Sequence, residues 1–76
     1  MAYYLRRRNN DAAPMLVELT AAEYRAERFK ASVTGWPVFQ RQSPEQARSW
    51  VREGGFHETG LYVNGEGQVR YARSAA

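Results

Sequence analysis

The amino-acid sequence predicts an α+β domain: an antiparallel sheet of about five strands, in the order ββαβαββ, with two helices packed on one face. Three observations predict it. Short segments with alternating apolar residues stand at both ends of the chain. Two helix-opening signatures, Thr20-Ala21-Ala22-Glu23 and Ser43-Pro44-Glu45-Gln46, lie between them, and clusters of Gly, Pro, Asn and Asp separate the segments. The chain has 76 residues and shows no internal repeat or linker, so residues 1–76 read as a single compact domain.

Tyr3-Tyr4-Leu5-Arg6-Arg7-Arg8 reads as a first strand, and Met15-Leu16-Val17-Glu18-Leu19 as a second, with Met15, Val17 and Leu19 on one face. The turn-rich stretch Asn9 to Pro14 lets them pair as an antiparallel hairpin. A capping box follows, in which the Thr20 hydroxyl accepts from the N–H of Glu23 and the Glu23 carboxylate reaches back to the N–H of Thr20. Leu19 and Tyr24 are spaced for a hydrophobic staple across this cap. The first helix, about 21–31, carries its apolar face on Ala22, Ala26 and Phe29, continued by Val33 if the helix runs on to the terminator Gly35. Val38-Phe39-Gln40-Arg41-Gln42 reads as a third strand. Ser43 caps a second helix over 44–53, with Pro44 at the first position, where its missing N–H is harmless. Its stripe is Ala47, Trp50 and Val51, and Gly54-Gly55 ends it.

The last third predicts a hairpin of Leu61-Tyr62-Val63 and Gln68-Val69-Arg70-Tyr71. Its register follows from the side-chain period of two. A loop with an odd number of residues places Leu61, Val63, Val69 and Tyr71 on one face, whereas a two-residue Asn-Gly turn sets them against polar residues. A three- or five-residue loop with a glycine at positive φ is therefore expected.

Composition narrows the function classes. There are 0 cysteines, which fits a reducing compartment. No apolar run approaches the roughly 20 residues that cross a bilayer, and no apolar stretch follows the N-terminal arginines as in a secretory signal. The expectation is a cytoplasmic protein, a monomer or homodimer, with no membrane association. The net charge of +3 favours anionic partners.

Candidate chemistry is sparse. His57 is the single histidine, and no nucleophile-elbow pattern surrounds Ser43, Ser49 or Thr59 to make it a base. One histidine with scattered glutamates does not make a closed zinc site. Gly54-Gly55 and Asn64-Gly65-Glu66-Gly67 lack the Lys-Ser/Thr of a phosphate loop. No catalytic residue, metal or cofactor is expected, and the chain reads as a binding protein rather than an enzyme.

Arginines interleaved with aromatics make the candidate binding surface. Tyr4, Arg6 and Arg8 share one face of the first strand, while Tyr3, Leu5 and Arg7 share the other. The second face has the more apolar set, so the first is expected to face solvent. Arg70 and Arg73, with Arg25 and Arg28, extend this cationic surface. Guanidinium groups suit bidentate phosphate or carboxylate contacts, and tyrosines suit stacking. Trp36, beside Pro37 in a loop, is a candidate exposed anchor.

From Phe39 to Arg73 the order is a strand ending before Ser43, a helix opened by Ser43-Pro44-Glu45-Gln46-Ala47, then Phe56-His57 and a closing hairpin from Leu61 to Tyr71. This order resembles one group of small phage anti-CRISPR proteins that block type I CRISPR surveillance complexes, over about half of the chain. The resemblance implies a phage-encoded, non-enzymatic inhibitor in the host bacterial cytoplasm. It would bind a ribonucleoprotein, the CRISPR surveillance complex, block target DNA recognition, and make some non-specific DNA contact. It implies partner-binding residues among Tyr4, Arg6, Arg7, Arg8, Arg70 and Arg73. The alternatives are a small basic nucleic-acid-binding module and a dimeric adaptor.

Overall fold

A computed structural model describes residues 1–72. The elements run β1 (Ala2–Arg7), β2 (Met15–Leu19), α1 (Ala21–Thr34), β3 (Val38–Gln42), α2 (Pro44–Arg52), β4 (Leu61–Val63) and β5 (Val69–Tyr71). The α+β class and the element order agree with the sequence reading. The strands, however, form two sheets rather than one, a three-stranded sheet in the order β2-β1-β3 and a separate β4-β5 hairpin.

Both helix starts form as the sequence dictates. Thr20 Oγ1 accepts from the Glu23 N–H at 3.1 Å and the Glu23 carboxylate accepts from the Thr20 N–H at 2.9 Å. Ser43 and Gln46 repeat this arrangement at 3.1 and 2.8 Å. Helix α1 ends on Gly35, whose φ of 82° is the left-handed conformation that glycine adopts without steric cost.

Register places the layers. Across β1, Tyr4 lies opposite Val17 and Arg41, and Leu5 lies opposite Leu16 and Gln40. The Tyr4 face packs with Val17, Leu19, Met15, Phe39 and, from α1, Tyr24. The opposite face, with Leu5 and Leu16, packs against Ala47, Trp50 and Val51 of α2 and against Leu61 and Val69 of the hairpin. The expectation that both helices cover one face is therefore corrected: α1 covers one side of the three-stranded sheet, and α2 with the hairpin covers the other. The physical reason is that both faces of β1 and β2 carry apolar side chains, and each needs a covering layer.

The edge of β2 explains why the hairpin forms its own sheet. The Leu16 N–H donates to Phe56 O at 3.0 Å and Leu16 O accepts from the Glu58 N–H at 2.9 Å. The segment around His57 thus occupies the hydrogen-bonding positions a fourth strand would need. The hairpin lies face-on over Leu16 instead. Within it, Leu61 pairs with Tyr71 and Val63 with Val69, leaving the five-residue loop 64–68. Gly67 takes φ 78° there, as the register argument requires. Asn64 organises this turn, its Oδ1 accepting from the N–H groups of Glu66 and Gln68.

The exit of α2 is a close approach. A Cβ on Gly55 would lie 2.5 Å from the Trp50 indole, and the indole N–H donates to Phe56 O at 2.7 Å. Gly55 is therefore the residue that lets the chain fold back across the tryptophan.

Candidate cationic interface

Of the six residues expected at a partner interface, the five among the described residues are separated by the fold. Tyr4 is buried, 8% exposed, and stacks on Tyr24 with ring centroids 4.5 Å apart and planes 7° from parallel. Phe39 meets both rings edge-on, at 5.9 and 5.2 Å. Arg6, two residues along the same strand face, meets Glu27, three residues along the same helix face. Its Nη1 donates to both carboxylate oxygens at 2.8 and 3.0 Å. The Arg6 side chain is only 10% exposed, and its Nε–H lacks a hydrogen-bond partner.

The expected solvent-facing surface of Tyr4, Arg6 and Arg8 is corrected accordingly. Helix α1 lies across Tyr4 and Arg6, leaving Arg8, beyond the end of β1, exposed. The spacings match because residues i and i+2 of a strand, and i and i+3 of a helix, each share a face. Tyr4 with Tyr24, and Arg6 with Glu27, thus form two successive rungs between strand and helix.

Arg7 is exposed at the end of β1, on the α2 side, beside a shallow groove it lines with Leu5, Val38 and Trp50. Arg70 is exposed on β5, its Nη2 donating to Gln68 Oε1 at 2.7 Å. Arg73 lies outside the described residues. Trp36 is half-buried, and its backbone N–H donates to Thr34 Oγ1 at 3.2 Å.

Arg48 and Arg52 were not singled out by the sequence reading, yet the fold brings both to the hairpin loop and Arg48 into one cavity with Arg70. They stand four residues apart on α2, so they share a face, and that face looks onto the hairpin loop. The position a Cβ would occupy on Gly67 lies 3.5 Å from Arg52 Nη2 and 3.8 Å from Arg48 Nη1. Arg48 Nη1 also donates to Gly67 O at 3.4 Å. Glycine is needed here for its φ, and its missing side chain leaves both guanidinium groups open at one notch. Arg48, Gly67 and Arg70 line a cavity of about 330 Å³ together with Tyr3, Glu45 and Gln68. Among the described residues no carboxylate comes within 4.0 Å of Arg48, Arg52 or Arg70. Arg48 thus shares the Gly67 notch with Arg52 and the cavity with Arg70, and none of the three is ion-paired among the described residues, an arrangement that attracts an anion. The one sequence signal for it was the i,i+4 spacing of Arg48 and Arg52 beside the α2 apolar stripe.

Tyr3 borders this notch, its hydroxyl donating to Val69 O at 3.0 Å. Burial first, and the Glu18 carboxylate second, raise its pKa above the ordinary tyrosine value, while Arg70 acts against the shift. Tyr3 is thus a neutral donor that anchors β5 to β1.

A cavity of about 820 Å³ is a groove beside α1 lined by Arg6, Glu18, Glu23, Glu27 and Glu58 with apolar neighbours. Arg6 already holds Glu27, and the described residues contain no group of three or more His, Cys, Asp or Glu that could hold a metal ion. His57 Nδ1 lies 2.7 Å from Gly55 O, where the imidazole closes the turn after α2. No helix among the described residues is long and apolar enough to cross a membrane.

Comparison with known proteins returns no matching family model, no matching curated protein and no matching solved structure.

Proposed function

We propose that the chain acts by binding, as a non-enzymatic inhibitor that docks on a type I CRISPR surveillance complex through its cationic α2–hairpin side and blocks target DNA recognition. The observation that carries this reading is that Arg48 meets Arg52 at the Gly67 notch and Arg70 in the adjoining cavity, none of the three ion-paired among the described residues. Guanidinium groups offer paired donors that fit phosphate oxygens. A crRNA-bearing complex presents such oxygens along the channel where target DNA hybridises. The resemblance over Phe39 to Arg73 supplies the identity of the partner, and all three arginines fall inside that stretch. Arg7 and Arg8 make a second exposed cationic point.

A stand-alone nucleic-acid-binding module is the second reading, favoured by the same three guanidinium groups, because phosphate contact alone supports sequence-independent binding.

A pull-down from a bacterial lysate containing type I surveillance complex tests the first reading. The wild type should recover the complex, and a variant with Arg48, Arg52 and Arg70 all changed to Ala should recover little. Recovery of no complex, or equal recovery by the variant, overturns it. A salt titration with naked duplex and single-stranded DNA separates the second reading. Affinity that falls steeply with salt, by about one counterion per phosphate contacted, favours the free binder.

A further inference from the structure

We propose that helix α1 is a self-association surface, through which two copies of the chain pair antiparallel about a two-fold axis. The inference concerns the other side of the sheet from the Gly67 notch and stands whatever that notch binds.

Helix α1 has two apolar faces. The inner face presents Tyr24 and Ala31, flanked by Glu27, to the sheet. The outer face, half a turn round the helix, carries Ala22, Ala26, Phe29 and Val33. All four are exposed, Phe29 by 76% and Val33 by 81%. Their spacing of four, three and four residues is that of the a and d positions along one seam of a coiled coil. A helix that is apolar on opposite sides is expected where both sides are covered. Among the described residues the fold covers one.

The residues on the seam and beside it select the partner as a second copy in antiparallel orientation. Antiparallel pairing sets a against d, so Phe29 of one copy meets Ala26 of the other, and Val33 meets Ala22. Each large side chain then fills the space over a small one. Flanking positions agree, since Glu23 meets Lys30 of the second copy and Arg25 meets Ser32, with no like charges opposed. Parallel pairing does the reverse. It sets Phe29 on Phe29 and Ala26 on Ala26, and brings Arg25 against Lys30. The two-fold axis makes the contact self-closing. Four residues per copy along about 16 Å of helix cover less than the roughly 800 Å² per partner of a standard interface. Pairing is therefore concentration-dependent, with a Kd in the micromolar range or weaker.

Sedimentation velocity on the purified chain, from about 10 μM to 1 mM, should show a reversible monomer–dimer shift. Phe29→Ser should abolish the shift and leave the far-ultraviolet circular dichroism of the monomer unchanged, because Phe29 is largely exposed and belongs to neither core cluster. Lys30→Glu should weaken the dimer by about threefold or more through repulsion from Glu23 of the second copy, whereas in a parallel pair it would strengthen it against Arg25. The chain has 0 cysteines, so introduced thiols report geometry cleanly. Ala22→Cys and Val33→Cys proteins, mixed and oxidised, should form the heterodisulfide. Neither alone should cross-link, since identical positions lie about 16 Å apart in this pairing and a disulfide needs Cα atoms within about 7 Å. A monomer at every concentration, tighter association by Lys30→Glu, or homodisulfides formed as readily as the heterodisulfide overturns the proposal.

Discussion

Helices α1 and α2 begin with the same grammar and end in different roles. Each opens on a complete capping box, Thr20 with Glu23 and Ser43 with Gln46. Helix α2 has one apolar stripe, Ala47, Trp50 and Val51, and turns it to the core between sheet and hairpin. Its polar side is left to carry Arg48 and Arg52 to the Gly67 notch. Helix α1 has two stripes and buries the one that continues the β1 pattern, where Tyr24 stacks on Tyr4 and Glu27 binds Arg6. The difference teaches that a cap sets where a helix begins, while side chains on the neighbouring strand set which way it faces.

The comparison is broken most severely on the α2 side. Trp50→Ala removes the indole that packs against the core and donates to Phe56 O, and should cost about 3–4 kcal/mol. Small single cores rarely supply more than about 3–5 kcal/mol in all. Urea titration followed by far-ultraviolet circular dichroism should therefore find this variant largely unfolded without denaturant.

On the α1 side the inner and outer stripes should respond oppositely. Tyr24→Ala dismantles the trio with Tyr4 and Phe39 and should lose about 2–3 kcal/mol. Phe29→Ser, on the exposed stripe, should stay within about 0.5 kcal/mol in dilute solution. Equal losses by the same urea titration would mean that α1 packs by its outer face instead.

A smaller contrast separates neighbouring arginines. Arg6→Ala strands the Glu27 carboxylate, which is 24% exposed, and should cost about 1–3 kcal/mol. Arg7→Ala touches an exposed side chain and should change stability by less than about 0.5 kcal/mol. Thermal melts of the two variants check this, and equal shifts in Tm would remove Arg6 from the interior. The smallest effect tests the shared grammar. Thr20→Ala and Ser43→Ala should each lose about 1 kcal/mol, the same within error, since both delete one cap acceptor at 3.1 Å.

Much of this architecture was legible in the residues. The strand spans β2 and β3, the start of both helices and an odd-length hairpin loop with a glycine at positive φ all follow from contacts between residues near in sequence or opposite in a hairpin. The choice of five residues over three, and of Gly67, came from the structure. The candidate site was less legible. Tyr4 and Arg6 read as a surface because strand alternation reports only that two faces differ, and here each face has its own cover. Arg48 and Arg52 were passed over because a pair of arginines on a helix becomes an anion site only when a glycine loop from elsewhere in the chain meets it.

The sequence by itself determined the elements, because a cap, a left-handed glycine and a hairpin register are settled by hydrogen bonds and side-chain alternation over a few residues. Only the tertiary structure decided that the strands form two sheets, that α1 hides Tyr4 and Arg6, and that Arg48 meets Arg52 at Gly67. Those outcomes depend on which apolar surfaces remove each other from water, a competition among segments distant in the chain that no local pattern encodes.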